Sequence, residues 1–365
     1  MSSWTVARVL DALEQRAPRS RAAAWDPVGL QLGDPAEGVE RIGLCHEVTE
    51  AVVAEAESAG LDLLVTYHPL LFHATTRLVA GATPEGRALR LTRAGVALAV
   101  AHTNFDAAAG GTADALAETL GLDAIQPFGP VEPASARKLV TFVPAEAADA
   151  VLEAVSRAGA AEIGLYTRCS FRTPGEGTFL AGPGTRPVTG EQGVLNREPE
   201  LRMEVTVPAA REDAVIGALV AAHPYEEPAY DVYPRRAESG LIGRIGRVAP
   251  GTTLSDLVER VRDTLEDPPL RVCGAPTRTL ERVAVLPGAG GDFLGLAAHL
   301  GADCMVTGDL RHHEARRAQD AGLCLIDPGH VATERPGLER LFTVLAALGL
   351  EVTSLLELDP DPWSG

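Results

Sequence analysis

The first third of the chain alternates between short, continuous apolar runs and segments with helical spacing of apolar residues. Apolar runs occupy 39–44, 61–66 and 96–101, and helical spacing occupies 51–58 and 86–94. Strands without polar alternation, separated by helices, are typical of a mostly parallel sheet covered on both faces. The pattern therefore predicts an α/β fold for this region.

The middle of the chain has a different pattern. Strands are predicted at 137–143 and 201–207, and helices at 145–158 and 211–221. This order within a short segment indicates a small α+β module with an antiparallel sheet. The Gly-, Pro- and Thr-rich stretch at 174–193 is expected to form hairpins or loops.

The α/β pattern resumes near residue 241 with further apolar strands and helices. Both flanking regions place polar residues at the ends of strands, which indicates one domain interrupted by another. We predict an α/β core whose halves are 1–130 and 237–365, with a small α+β domain inserted at 131–236. Residues 359–365 are expected to form a frayed tail.

Polar side chains follow three of the predicted strands. His68 comes directly after one strand, Asp106 lies shortly beyond the next, and a strand near the end of the chain leads to His330 and Glu334. Ligands of parallel sheets bind beyond the carboxyl ends of the strands. A histidine and a glutamate four positions apart at the start of a helix can face the same ion. These residues therefore predict a metal centre at strand ends.

Each of these residues has a structural alternative, since a lone histidine after a strand is more often structural than a ligand. Asp106 could cap the helix that follows it. His102 could donate to a backbone carbonyl beside the site. Glu334 could stabilise a helix N-terminus through the helix dipole, with Pro336 in the first turn. The metal site is favoured because all of them occupy the same kind of position.

Two further segments carry groups of interest. One of His312 and His313 could point into a pocket while the other is solvated. Gly288–Gly291 could hold an anion, but it lacks the Lys-Ser/Thr of a phosphate-binding loop, so a tight turn is favoured.

The sequence contains no Gly-x-Ser-x-Gly pattern, which disfavours covalent catalysis. A metal-activated water is favoured instead, because a bound cation lowers the pKa of water towards ~7. His102 and His313 are candidates to shuttle protons.

Composition excludes several classes of protein. The formal net charge of −18 disfavours a general nucleic-acid binder. No apolar run approaches the ~18 residues that a membrane helix needs. Five scattered cysteines without a Cys-x-x-Cys pair fit reduced thiols in a cytoplasm better than a disulfide framework. We therefore expect a cytoplasmic protein that binds neither membranes nor nucleic acid.

Several segments, taken in order, carry a resemblance to a known family. They are 25–33 (WDPVGLQLG), 68–72 (HPLLF), 102–106 (HTNFD) with the glycines at 110 and 111, 307–309 (TGD) and 329–336 (GHVATERP). Together they resemble the NIF-three-like family of dinuclear metal-centre proteins, also labelled GTP cyclohydrolase 1 type 2 homologues. The segment 223–231 (HPYEEPAYD) resembles the end of the PII-like module inserted in the longer bacterial members.

The resemblance implies an α/β core in two halves and a toroidal homohexamer of stacked trimers, with a metal pair facing the internal cavity. It carries metal-ligand roles to His68, Asp106, His330 and Glu334, with the glutamate bridging the two ions. Imidazole and carboxylate ligands suit zinc, iron, manganese or cobalt better than magnesium. We expect one or two such ions per chain.

The chain departs from the family pattern at two places. Tyr67 stands where the family has the first of two consecutive histidines, and a phenol with a pKa near ~10 is a poorer ligand at neutral pH. One of the two ions is therefore expected to be weakly bound, lost or held through a phenolate. Cys45-His46-Glu47 stands where many relatives have an apolar residue followed by Asp.

These observations predict a metal-dependent hydrolase of a small phosphorylated or nucleotide-like molecule. The alternative is a non-enzymatic, metal-dependent scaffold or regulator that binds a partner in the cavity of the ring. An open coordination position would favour the enzyme, and a closed one the scaffold.

Overall fold

The computed structural model describes residues 4–131, 136–163, 166–235 and 240–363. The chain divides into two compact units, one formed by Met1–Pro133 with Glu238–Gly365 and the other by Ala134–Ala237. The first unit is α/β and contains both ends of the chain, and the second is a smaller α+β unit. The predicted fold class, an interrupted α/β core with a small α+β insert, is confirmed.

The first unit consists of two sheets and the helices that cover them. Its helices and strands before the second unit are, in chain order, α1 (Val6–Arg16), β1 (Gly29–Leu32), β2 (Arg41–Cys45), α2 (Glu50–Ser58), β3 (Leu63–Thr66), α3 (Pro84–Ala94), β4 (Ala97–Val100), α4 (Thr103–Asp106), α5 (Thr112–Thr119) and β5 (Asp123–Pro130).

The second unit has one sheet and two helices among its described residues. They are β6 (Ala136–Val143), α6 (Ala148–Arg157), β7 (Ser170–Leu180), β8 (Leu195–Pro208), α7 (Glu212–Ala222) and β9 (Tyr230–Pro234).

The first unit then continues to the end of the chain. The remaining helices and strands are β10 (Leu241–Arg247), α8 (Leu254–Thr264), β11 (Arg271–Cys273), β12 (Arg282–Ala289), α9 (Leu294–His299), β13 (Cys304–Gly308), α10 (His312–Asp320), β14 (Cys324–Asp327), α11 (His330–Ala346) and β15 (Glu351–Ser354). Single 3-10 turns occur at Arg19–Arg21, Ala209–Arg211, Gly291–Phe293 and Leu356–Leu358.

The first sheet has the strand order β1-β4-β3-β2-β15, in which all strands except β1 are parallel. Every residue of β3 and β4 is buried. Leu63 and Val65 pack with α1 and α11, whereas Leu64 packs with α2 and α3. Burial on both faces explains why these strands lack polar alternation. The antiparallel edge strand β1 was not identified from the sequence.

The second sheet has the order β11-β14-β13-β12-β10-β5. Its central strands β12, β13 and β14 are parallel to one another. β10 pairs antiparallel with β12, β11 pairs antiparallel with β14, and β5 pairs antiparallel with β10. Helices α5 and α8 cover one face of this sheet, and α9 and α10 cover the other.

The two halves of the first unit exchange edge strands. β15, close to the end of the chain, pairs with β2 of the first sheet, and β5, from the first half, pairs with β10 of the second. A buried ion pair adds to this connection, because Arg244 on β10 donates to Asp114 on α5 and, at 3.1 Å, to the carbonyl of Ala108. Neither half therefore completes its sheet alone.

The sheet of the second unit is antiparallel, with the order β7-β8-β6-β9. Helices α6 and α7 cover one face, where Val151, Val155 and Leu219 pack against Leu139 and Val205. The stretch predicted as hairpins or loops begins inside β7, which pairs continuously with β8 to form a long hairpin.

Among the described residues of the whole chain, none of the helices is long and apolar enough to cross a membrane.

The second unit departs from and returns to neighbouring points of the first. Pro130 at the end of β5 pairs with Leu241 at the start of β10. The amide of Val131 donates to the carbonyl of Gly240 at 2.9 Å. This is the geometry of two antiparallel strands that a short turn can join.

We predict that replacing residues 132–239 with a turn of about two to five residues leaves a folded α/β unit, because β5 and β10 already form the stem of a hairpin. Circular dichroism should show a cooperative thermal transition, and metal binding should match that of the parent protein. A matched variant with a longer Gly/Ser linker controls for strain in the turn. Unfolded product from both variants would contradict the prediction.

Candidate metal centre

The polar residues at the strand ends of both sheets come together at one place. In the first sheet, β2 is followed by His46, β3 by His68 and β4 by His102. In the second sheet, β13 is followed by Asp309 and β14 by His330. Main-chain pairing continues past the strand ends, since the amide of His68 donates to the carbonyl of His46 at 2.9 Å. The strand ends of the two sheets thus meet around a common centre.

The carboxylate of Glu334 is the middle of this centre and is buried. Its Oε1 lies 3.1 Å from Nε2 of His330. Its Oε2 lies 2.6 Å from Nε2 of His46 and 3.5 Å from Nε2 of His68. Nε2 of His68 and Nε2 of His330 are 3.4 Å apart. Three imidazoles therefore converge on the two oxygens of one carboxylate.

Acidic groups lie behind two of these rings. Nδ1 of His330 is 2.7 Å from Oδ2 of Asp309, and Nδ1 of His68 is 3.3 Å from Oε1 of Glu47. A carboxylate on the outer ring nitrogen fixes the orientation of an imidazole and directs the other nitrogen towards a metal. This arrangement leaves both Nε2 atoms facing the centre.

The electrostatics of the centre follow from the buried carboxylates. Burial lowers the pKa of His68, but its contacts with Glu334 and Glu47 outweigh burial and raise this pKa to about 10. Burial also lowers the pKa of His330, but the contact with Glu334 outweighs burial and raises this pKa to about 9. Burial raises the pKa of Glu334, but the neighbouring imidazoles hold it well below its usual range. The centre thus attracts positive charge, whether protons or a cation.

Asp106 is buried at the end of α4, and its Oδ1 accepts the hydroxyl of Tyr67. Burial raises the pKa of Asp106 to about 6. Burial, followed by the charges of Asp106 and Glu334, raises the pKa of Tyr67 well above its usual value. The helix-capping alternative for Asp106 is wrong, because α5 begins at Thr112 and its N-cap is Gly111.

His102 packs against both neighbouring rings, with centroid distances of 5.2 Å to Tyr67 and 5.1 Å to His68. Its Nδ1 lies 3.0 Å from Oδ2 of the buried Asp26. This contact has an ion-pair distance but not hydrogen-bond geometry, and Nδ1 of His102 donates to no backbone carbonyl among the described residues. The other candidate, His313, is exposed at the start of α10, where its ring contacts that of His312 at a centroid distance of 5.4 Å.

A glycine allows β12 to approach the centre closely. Gly288 has φ +64°, and a Cβ at this position would lie 2.6 Å from Oε1 of Glu334. Its amide donates to Thr333 of α11 at 2.8 Å. The segment 288–291 therefore forms a close turn against the centre, in agreement with the favoured interpretation of a tight turn.

The helix that carries Glu334 begins at His330, after Gly329 with φ +88°. Pro336 is its seventh residue and lies inside the helix, so its expected position in the first turn is wrong. The helix starts earlier than a first-turn Pro336 implied, directly after Gly329, whose backbone conformation other residues rarely adopt.

His46, Glu47 and Asp359 belong to the centre or its support and were not predicted from the sequence. His46 is buried, and its amide and that of Glu47 both donate to Oδ2 of Asp359 at 2.7 Å. The expected frayed tail is therefore wrong for Asp359, which is buried because it binds these two amides. His46 follows an apolar strand directly, as His68 does, and this position was the signal that could have identified it.

The donor set fits a divalent transition-metal ion. Ligand atoms of His68, His330 and Glu334 lie within 4.8 Å of one another, as do those of His46, Glu47 and His68. Neutral imidazoles and carboxylates are the ligands that zinc, iron, manganese and cobalt accept, whereas magnesium prefers oxygen alone.

Comparison with known proteins identifies the family of this chain. The Duf34/NIF3 (NGG1p interacting factor 3) family matches residues 4–362. The chain belongs to this family. The resemblance noted in the sequence is thereby confirmed.

Relatives in this family cover nearly the whole chain. A protein of Mycobacterium leprae named GTP cyclohydrolase 1 type 2 homolog is 41% identical and covers 99% of this chain and 96% of its own length. One of Bacillus subtilis with the same name is 36% identical and covers 92% and 91%. The crystal structure of a Bacillus cereus protein related to NIF3 is similar to this chain with a TM-score of 0.65, at 34% identity and with complete coverage of both chains.

We predict that Glu334→Gln and His330→Ala each remove bound metal while the fold persists. Loss of a residue that only hydrogen-bonds a ligand weakens metal affinity by roughly 10- to 100-fold. Loss of the ligand itself should weaken metal affinity by more than this. Metal content by mass spectrometry and thermal unfolding of the same samples measure the two effects. His299→Ala, which removes an exposed histidine of α9, is the matched control. Full metal content in both variants would refute the site.

Metal affinity should rise with pH. Protons compete with the metal for the imidazoles of His68 and His330, whose pKa values are raised, because a ligand imidazole must be neutral. Binding one ion should release at least one proton, and affinity should fall about tenfold per released proton for each pH unit below about 9. Calorimetric titration with manganese between pH 6.5 and 8.5, in buffers of different ionisation enthalpy, counts these protons. Affinity independent of pH would contradict the assignment.

Proposed function

We propose that this protein is a metal-dependent hydrolase of a small phosphorylated or nucleotide-like molecule. The observation that supports the proposal best is the cluster of imidazoles around Glu334, which is closed on one side and open on the other. The side chains of His46 and Glu334 are 4% exposed, whereas those of His68 and His330 are 20% and 29% exposed. A site with an exposed side can admit a substrate, which favours an enzyme over a scaffold.

In this proposal the residues that would hold the metal are His68, Asp106, His330 and Glu334. A bound divalent cation would supply Lewis-acid chemistry, polarising a substrate oxygen and making water a stronger acid. Asp309 and Glu47 keep the rings of His330 and His68 in orientation. The family's bridging role for Glu334 agrees with the division of its two oxygens between different imidazoles.

His102 is the candidate proton shuttle. Asp26 is held by the amide of Thr103 at 3.0 Å and by its hydroxyl, and it faces Nδ1 of His102. A carboxylate on one ring nitrogen leaves the other nitrogen to exchange a proton with a substrate or water. The contact between the rings of His102 and His68 puts this group beside the proposed metal site.

The substrate class and the assembly rest on the relatives. Several relatives are named GTP cyclohydrolase 1 type 2 homolog, so purine nucleotides are the first substrates to test. We further propose a homo-oligomer, with a hexamer as the resemblance implies, and light scattering coupled to size exclusion would measure its mass. A monomeric protein with hydrolase activity would show that the activity does not require the homo-oligomer.

The decisive experiment is a hydrolysis screen with protein loaded with zinc, manganese, iron or cobalt in turn. Nucleoside triphosphates, nucleoside monophosphates and sugar phosphates are the substrates, and chromatography with phosphate release is the readout. We expect turnover that is lost in Glu334→Gln. Stoichiometric metal without turnover of any substrate would favour the metal-dependent scaffold.

For a substrate that is turned over, His102→Ala should lower kcat by about 100- to 10,000-fold, the range of general acid–base catalysis. Metal content should stay at the parental value, because His102 is not among the proposed ligands. His299→Ala is again the control for removal of a histidine. Unchanged kcat and an unchanged pH profile in His102→Ala would exclude this residue as the shuttle.

A further inference from the structure

We propose that His46 is a metal ligand in this chain and supplies the imidazole that Tyr67 does not provide. The inference rests on the metal site of the proposed function and assigns to it a residue from a different strand. The observation that carries it is the 2.6 Å distance between Nε2 of His46 and Oε2 of Glu334.

The two oxygens of Glu334 face different imidazoles. Oε1 is 3.1 Å from Nε2 of His330, and Oε2 is nearest to Nε2 of His46. A carboxylate that bridges two ions needs a further donor beside each oxygen. His330 provides a donor beside Oε1, and Nε2 of His68 lies between the two sides, 3.4 Å from Nε2 of His330 and 3.5 Å from Oε2. His46 is the imidazole closest to the second oxygen.

Tyr67 lies beside His46, but in this proposal it is not a metal ligand. The rings of Tyr67 and His46 are stacked, with centroids 5.7 Å apart and planes inclined by 23°. The hydroxyl of Tyr67 donates to Oδ1 of Asp106. The phenol thus orients the Asp106 carboxylate, while the imidazole beside it reaches Glu334.

The position of His46 is fixed by its surroundings. Its amide donates to the buried Asp359, and its carbonyl accepts the hydroxyl of Thr66 at 3.2 Å and the amide of His68 at 2.9 Å. Its ring lies 4.3 Å from the ring of His68, measured between centroids. A ligand held in place before the ion arrives loses little freedom on binding, which favours affinity.

Substitutions at positions 46 and 67 test the assignment. His46→Leu removes the imidazole, Tyr67→Phe removes only the hydroxyl, and His46→Leu/Tyr67→His moves an imidazole to the neighbouring strand. Each protein is stripped of metal, titrated with manganese by calorimetry, and analysed for bound manganese. X-ray absorption of cobalt-loaded samples counts imidazoles per metal. His299→Leu, which changes an exposed histidine of α9 away from the centre, is the matched control, and thermal unfolding checks each fold.

We expect His46→Leu to reduce bound manganese from about two ions per chain to about one, with fewer imidazoles per cobalt. Tyr67→Phe should keep both ions, with affinity for the second weakened by about 10- to 100-fold because Asp106 loses its partner. The double variant should recover the second ion, and His299→Leu should match the parent.

Two outcomes would overturn the inference. In the first, His46→Leu keeps the parental number of ions, affinity and imidazole count. In the second, Tyr67→Phe loses the second ion while His46→Leu retains it, which would identify the phenol as the ligand. Either result leaves the proposed metal site intact if the parent binds metal. A parent protein that binds no divalent ion would refute both the site and this role for His46.

Discussion

The burial of one carboxylate organises this protein. Removing a charged carboxylate from water costs several kcal/mol, and the cost is recovered only when opposite charge or strong donors surround the group. Glu334 meets that requirement through imidazoles from two different sheets. The strand ends that carry His46 and His68, and the helix start that carries His330, must therefore be positioned together. Disturbing any one of them would leave a charge that is buried and incompletely compensated.

The exchange of edge strands provides the frame for this centre. Helix α11 carries Glu334 and contacts α5 and β12 on one side and β15 on the other, so it packs between elements of both sheets. β15 continues from α11 back into the first sheet, and β5 connects the first half to the second sheet. Because each half lacks an edge strand without the other, the strand ends of both sheets are held at a fixed distance. The second unit interrupts this frame at a hairpin stem and leaves its hydrogen bonding unbroken.

A layer of acidic groups behind the imidazoles completes the centre. Asp309, Glu47 and Asp26 face the outer nitrogens of His330, His68 and His102, and Asp359 holds the backbone that carries His46. Such partners raise the basicity of an imidazole and fix its orientation, so they favour binding of a cation over exposure to water. These acidic groups contribute to the negative net charge of the chain, and at the centre they stabilise positive charge.

The sequence alone determined the class of fold, the interruption of the core, and four of the residues around the centre. Continuous apolar strands can only be buried between helices, and the polar residues that follow them can only lie at a sheet edge, so His68, Asp106, His330 and Glu334 were predicted from local pattern and family resemblance. Tertiary structure alone decided that β15 and β5 cross between sheets, that Asp359 is buried, and that His46 reaches Glu334. These contacts join residues separated by up to 313 positions. No local periodicity carries such information, because the partner of a buried charge is chosen by packing between distant segments and not by spacing along the chain.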